Sequence, residues 1–144
     1  MRVKRIILAG LVALGLAPGT FVRSEIPAPD YTSPVEIVQL DVDPLRSGPL
    51  VLEGAWELTS KNDHFGGFSA LIARYPDSFL AATDAGRLMH LPRPDLVDEP
   101  PTLDRFLNFE RVDKSHVDIE SLTFDPVTGE VWAGLEWAQQ IIRF

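Results

Sequence analysis

The sequence predicts an all-β fold: an incomplete, β-propeller-like array of about two to three blades of antiparallel strands, preceded by an N-terminal signal helix. Three observations carry this expectation. After the first 24 residues no segment shows a sustained helical period with caps. In its place, short apolar runs rich in β-branched and aromatic residues alternate with Gly, Pro, Asp and Ser. Two of these multi-strand segments, beginning about fifty residues apart, share one plan, as successive units of a repeat architecture do.

The bulk numbers narrow the classes. A chain of 144 residues is expected to form one domain. Its 21 acidic against 13 basic residues, net -8, argue against a nucleic-acid or anionic-membrane surface, because phosphates are bound by clustered Lys and Arg. Apolar residues make up 45%, enough for a core, so global disorder is excluded. With no cysteine, disulfides, thiolate metal sites and a cysteine nucleophile are all ruled out.

Taken in order, "MRVKR" supplies Arg2, Lys4 and Arg5, and the uncharged run "IILAGLVALGLA" follows. These are the basic and apolar regions of an export signal, and the apolar run is short for a membrane span. Val22-Arg23-Ser24 places a small residue where cleavage before Glu25 is expected, an uncleaved anchor being the alternative. The expected compartment is periplasmic or secreted. Glu25 to Pro34, "EIPAPDYTSP", reads as an extended lead-in, and residues 35–144 as the array itself.

Two strand-like runs come next, "VEIVQLDV" and "GPLVLEGAWELTS", separated by the turn sequence "DPLRSG". A calcium loop of the EF-hand kind does not fit there. Pro44 interrupts the run, and Leu52 stands where the loop's twelfth position needs Glu. "FGGFSALIARYPDSFLAATDAGRLMHL" then gives two apolar runs around "YPDS" and a third after "DAG". The segment from Pro92 to Asp104, "PRPDLVDEPPTLD", is too dense in proline for a helix or a central strand and is expected as a long loop or an edge-hugging segment. "RFLNFERVD" leads from it into the last run of strands.

The repeat relates "FSALIARYPDSFLAATDAGRLMHL" to "IESLTFDPVTGEVWAGLEWAQQIIRF". Ser69-Ala70-Leu71 matches Glu120-Ser121-Leu122, a turn follows, and each second run ends on an acid, Asp84 or Glu136. Successive short strands repeating at this period point to a propeller, with a sandwich or barrel as the bland alternative. Propellers typically close with four to eight blades. The chain is therefore expected to be an N-terminal fragment of a longer array, poorly stable alone because of its open strand edges.

At "FGGFSALIA", "FLAATDAGRL", "DIESLTFDPVTGEVWAGLE" and "IIRF" the sequence resembles the phytase-like family described as "esterase-like activity of phytase", exported bacterial proteins related to β-propeller phytases. The likeness runs from about Leu52 to Phe144. It implies a propeller, hydrolysis of a small-molecule ester or phosphoester, and calcium as in the phytase relatives. A non-catalytic periplasmic binding or scaffold propeller is the alternative function.

The residues themselves suggest where such chemistry would sit. With "DPVTG" as a tight turn, counting back pairs Phe124 with Glu130, Leu122 with Trp132, Glu120 with Gly134 and Asp118 with Glu136. Asp118 and Glu120 share one face by alternation, so three carboxylates gather at one end of the hairpin. The same count places Ser69 opposite Asp84. Opposed like charges destabilise a sheet unless neutralised, and Ca²⁺, with six to eight oxygen ligands, neutralises them well. Asp84, Asp118, Glu120 and Glu136 are therefore the candidate metal ligands. A solvated rim pairing with Arg87 or Lys114 is the competing explanation.

His116 and Glu120 are the candidate catalytic groups, with His64 a further candidate general base. A histidine beside carboxylates is, however, more often a hydrogen-bonded surface residue. Ser69, in Gly-Phe-Ser-Ala, lacks the strand-to-helix elbow of a nucleophile and reads as a structural hydroxyl. His90 has no evident partner, and Trp56, Trp132 and Trp137 are expected in the core or in the packing between blades.

Overall fold

The computed structural model describes residues 2–16, 25–74, 76–106, 113 and 116–144. The expected cleavage point Val22-Arg23-Ser24, Lys114, Tyr75 of "YPDS" and much of "RFLNFERVD" lie outside the described residues. Helix α1 (Arg2–Leu16) is rich in Leu and Ala and has no internal proline. Its described side chains, Ile6, Leu8 and Leu11 among them, are exposed. No helix among the described residues is long and apolar enough to cross a membrane.

The lead-in has no regular structure, yet it is tied down. The Asp30 carboxylate accepts the Thr32 and Ser33 N–H groups at 2.9 and 3.0 Å and the Ser33 hydroxyl at 2.5 Å. The Asp30 and Asp63 backbones are linked reciprocally: Asp63 N–H donates to the Asp30 carbonyl at 2.7 Å, and Asp30 N–H to the Asp63 carboxylate at 2.8 Å. The donors of Ser33 and then Thr32 hold the Asp30 carboxyl down at about 2, from an ordinary 3.8. A depressed carboxyl stabilises the fold fully above its unfolded value and loses that contribution as pH falls through the folded one. Protection of the Asp63 amide from hydrogen exchange is therefore expected above pH 3.8 and lost on acidification toward pH 2. In Asp30→Ala, weak protection is expected throughout this range; unchanged protection would show that the lead-in is held elsewhere.

Strand β1 (Glu36–Leu40) pairs antiparallel with β4 (Ala55–Thr59), from Glu36↔Thr59 to Leu40↔Ala55. "DPLRSG" is more than a turn between them. Its end forms β2 (Arg46–Ser47), which pairs with β3 (Leu50–Val51) in a small ribbon inside the connection.

The central sheet is β5 (Phe68–Arg74), β6 (Ser78–Thr83), β7 (Arg87–Pro92) and β8 (Thr102–Arg105), antiparallel in that spatial order. The buried Thr83 hydroxyl accepts the Ala85 and Arg87 N–H groups at 3.3 and 3.0 Å, shaping the "DAG" turn. Most of the proline-rich segment is a loop, and its last residues pair with β7 as the outer strand, in keeping with the edge-hugging alternative. An edge is where a strand reached through prolines is tolerated.

The third sheet is β9 (Ile119–Phe124), β10 (Val131–Leu135) and β11 (Gln140–Arg143), in the order β11-β10-β9. Between β9 and β10 the Asp125 carboxylate accepts the Val127 N–H at 2.8 Å and the Thr128 hydroxyl at 2.9 Å. Those bonds push the Asp125 carboxyl below its ordinary value, the Val127 N–H being the larger cause. Gly129 closes the turn at φ +78.

The inner strand β6 is covered on both faces, which explains why it reads "FLAA" with no polar alternation. Leu80, Ala82 and Leu88 pack against Ile119, Val131 and Ala133 of the third sheet. Ala81, Met89 and Leu91 pack on the opposite side against Val35, Ile37 and Leu58. Each large side chain removed from water contributes about 1.5–3 kcal/mol. Apart from the small β2–β3 ribbon, the described strands form three antiparallel sheets layered through these two cores, none closed on itself. Strands β5 and β9 run side by side without a backbone ladder.

Candidate metal centre

The β9–β10 register differs by one from simple counting and then recovers. Phe124 pairs with Val131, Leu122 with Ala133 and Ser121 with Gly134. The turn holds one residue more than a count from Glu130 allows, because the Asp125 N–H still bonds the Glu130 carbonyl at 2.9 Å before the ladder begins. A β-bulge at Glu120 then returns the residue: Ile119 pairs with Leu135, and the Glu136 N–H donates to the Asp118 carbonyl at 3.2 Å. Asp118 thus opposes Glu136 as expected, though Glu120 does not oppose Gly134. A bulge leaves its extra residue unpaired and re-aims it, and that turns Glu120 toward the end of the hairpin.

The first copy carries the same bulge. Phe68 pairs with Thr83 and Ala70 with Ala82, leaving Ser69 unpaired in the ladder. Asp84 therefore opposes Gly67, its N–H donating to the Gly67 carbonyl at 3.1 Å, and does not oppose Ser69. Ser69 and Glu120, matched by sequence, are matched as bulge residues. The Ser69 hydroxyl donates across the sheet boundary to the Ile119 carbonyl, so it joins the two copies.

Carboxylate oxygens of Asp118, Glu120 and Glu136 all lie within 4.8 Å of one another. Asp118 is 3% exposed, while Glu120 and Glu136 reach solvent. Charges at this separation repel by on the order of 1–3 kcal/mol per pair, depending on how far water screens them. Among the described residues none of the three forms an ion pair; Arg143 pairs instead with Glu130 at 3.1 Å. An all-oxygen, all-anionic donor set suits a hard divalent cation and not a thiophilic one. Such a group can bind a metal ion. Beside it opens a shallow groove of about 390 Å³, lined by Glu120, Ser121, Gly134, Glu136, Gln139 and Gln140. A Cβ at Gly134 would stand 2.4 Å from the Ser121 hydroxyl, which would have to rotate away.

The remaining candidates fall elsewhere. Half-buried Asp84 occupies the place in the first copy that Glu136 holds in the second, outside the convergent group. His116, exposed on the turn before β9, is also outside it, its N–H donating to the Asp113 carbonyl at 2.9 Å. His64 stacks on Tyr31, ring centroids 4.3 Å apart. His90 has the partner that sequence did not show: Asp104 of β8, 3.9 Å away. Trp137 is 72% exposed in the β10–β11 turn and Trp132 lies under the Arg143 guanidinium, so these two do not pack between sheets. The bulges were missed by counting, yet the shared "Ser/Glu-small-Leu" triplet marked their position in both copies.

Comparison of the chain with family models, with curated proteins and with solved structures gives no match.

Proposed function

We propose that the chain is an exported, phytase-like β-propeller array whose Asp118–Glu120–Glu136 cluster holds Ca²⁺ and serves hydrolysis of phosphoester or ester bonds. The convergence within 4.8 Å of three carboxylates that form no ion pair among the described residues is the observation that carries this reading. A bound calcium would supply charge neutralisation of an anionic substrate and lower the pKa of a ligated water. The protein's own residues would divide the rest. Asp118, fixed in the packed hairpin, sets the position of the centre. Glu120, re-aimed by the bulge toward the groove, is placed to accept a proton from an attacking water, and Glu136 bounds the opposite side. The basic start of α1 ahead of its apolar run supports export.

Calorimetric titration of the chelated protein with Ca²⁺ and Mg²⁺, followed by assay on aryl phosphate and aryl acetate esters, tests this. One calcium per chain and metal-dependent turnover are expected. The groove's openness favours a second reading, a non-catalytic binding module, because hydrolytic sites exclude bulk water. Calcium binding without turnover on either ester class selects that module, and no binding removes both forms of the proposal.

A further inference from the structure

We propose that Arg87 and Arg105, with His64 beside them, form an oxyanion site for a phosphate group, on the face of the central sheet turned away from the carboxylate cluster. The pair is set by register: Arg87 and Arg105 are directly opposed partners on β7 and β8. Cross-strand partners point to one face, and here it is the face of Met89 and Leu103, which pack toward the first sheet. Two like charges directly opposed destabilise a sheet. Arginine cannot relieve this by losing its proton.

Acidic partners are the usual remedy, and this chain has many, with 21 Asp and Glu against 13 Lys and Arg. Among the described residues, however, neither guanidinium forms an ion pair. Asp63, the acid that acts on His64, already accepts the Asp30 N–H through its carboxylate. Arg87 is half-buried, and burial followed by the charge of Arg105 pushes its pKa down. Both arginine charges also reach His64. Burial, then Arg87, then Arg105 lower the pKa of that imidazole, with Asp63 opposing, so the ring stays neutral near pH 7 and retains an N–H to donate. The Tyr31 ring stacked at 14° fixes its plane. Two guanidinium forks and a neutral imidazole suit a tetrahedral dianion, which takes paired N–H donors on adjacent oxygens. The inference is independent of the proposed calcium centre, since it uses none of those residues.

The test is a thermal-shift and calorimetric titration of the full chain with inorganic phosphate, in chelator and at constant ionic strength set with chloride. Saturable binding of one phosphate is expected, weakened at least tenfold in Arg87→Gln and in Arg105→Gln. Arg74→Gln, at a guanidinium stacked over Phe124, should bind as the parent chain does. Arg105 is exposed at an edge strand, so its variant should fold, and without phosphate it should melt higher because the opposed charge is gone. An equal shift from chloride alone, or undiminished phosphate binding in Arg105→Gln, would overturn the assignment.

Discussion

Gly86→Ala destabilises the chain by about 2–5 kcal/mol, the largest expected loss from a single added methyl group. Two contributions add. Gly86 sits at φ +70, where an L side chain costs about 1–2 kcal/mol. Its added Cβ would also stand 2.4 Å from the Val117 Cβ, which must move away from the central sheet, and overpacking of this kind costs about 1–3 kcal/mol. Gly129→Ala is the control. At φ +78 with nothing within 4 Å of its Cβ, it carries only the backbone contribution. Melting of Gly86→Ala more than about 8 °C below the parent, and clearly below Gly129→Ala, is expected. Equal losses in the two variants would mean that the sheets do not press on each other at this point.

Asp118→Asn separates the two roles of the carboxylate cluster. In chelator, removing the buried member of a repelling trio leaves stability unchanged or raises it. With calcium at a hundredfold its dissociation constant, the parent gains about 2.7 kcal/mol by mass action. The variant should gain less than about 0.5 kcal/mol, because the ligand fixed by packing is the one lost. Denaturant midpoints with calcium and with chelator measure both quantities. A variant that keeps the full calcium gain places the ion elsewhere. A variant less stable in chelator would show that Asp118 holds the hairpin without metal.

Much of the strand pattern is legible in the sequence alone. "SALIAR", "SFLAAT" and "RLMHL" emerged between turn signals because Gly, Pro and Asp dictate local backbone geometry. The acid pair Asp118–Glu136 was also found, although the counting behind it was wrong twice. The turn was one residue longer than counted, and the bulge at Glu120 cancelled the error. Period-2 counting carries no information about an inserted residue, so the pairing of Ser69 with Asp84, where no second error compensated, failed. Trp137 illustrates the same limit. Its size suggested packing, but its place in a four-residue turn left it in solvent.

By itself the sequence determined most of the strands and turns, the twofold recurrence of one hairpin plan and the acidic character of its end. These follow from local backbone preference and from periodicity, which act over a few residues. The tertiary structure alone decided which strands pair across the proline-rich loop. It also decided that β6 is covered on both faces and that Ser69 bonds to Ile119, fifty residues away. Above all, it set three carboxylates together on one side and two arginines in opposition on the other. Register sums over every insertion and bulge between two partners, and the charges it places together are fixed by packing distant in sequence.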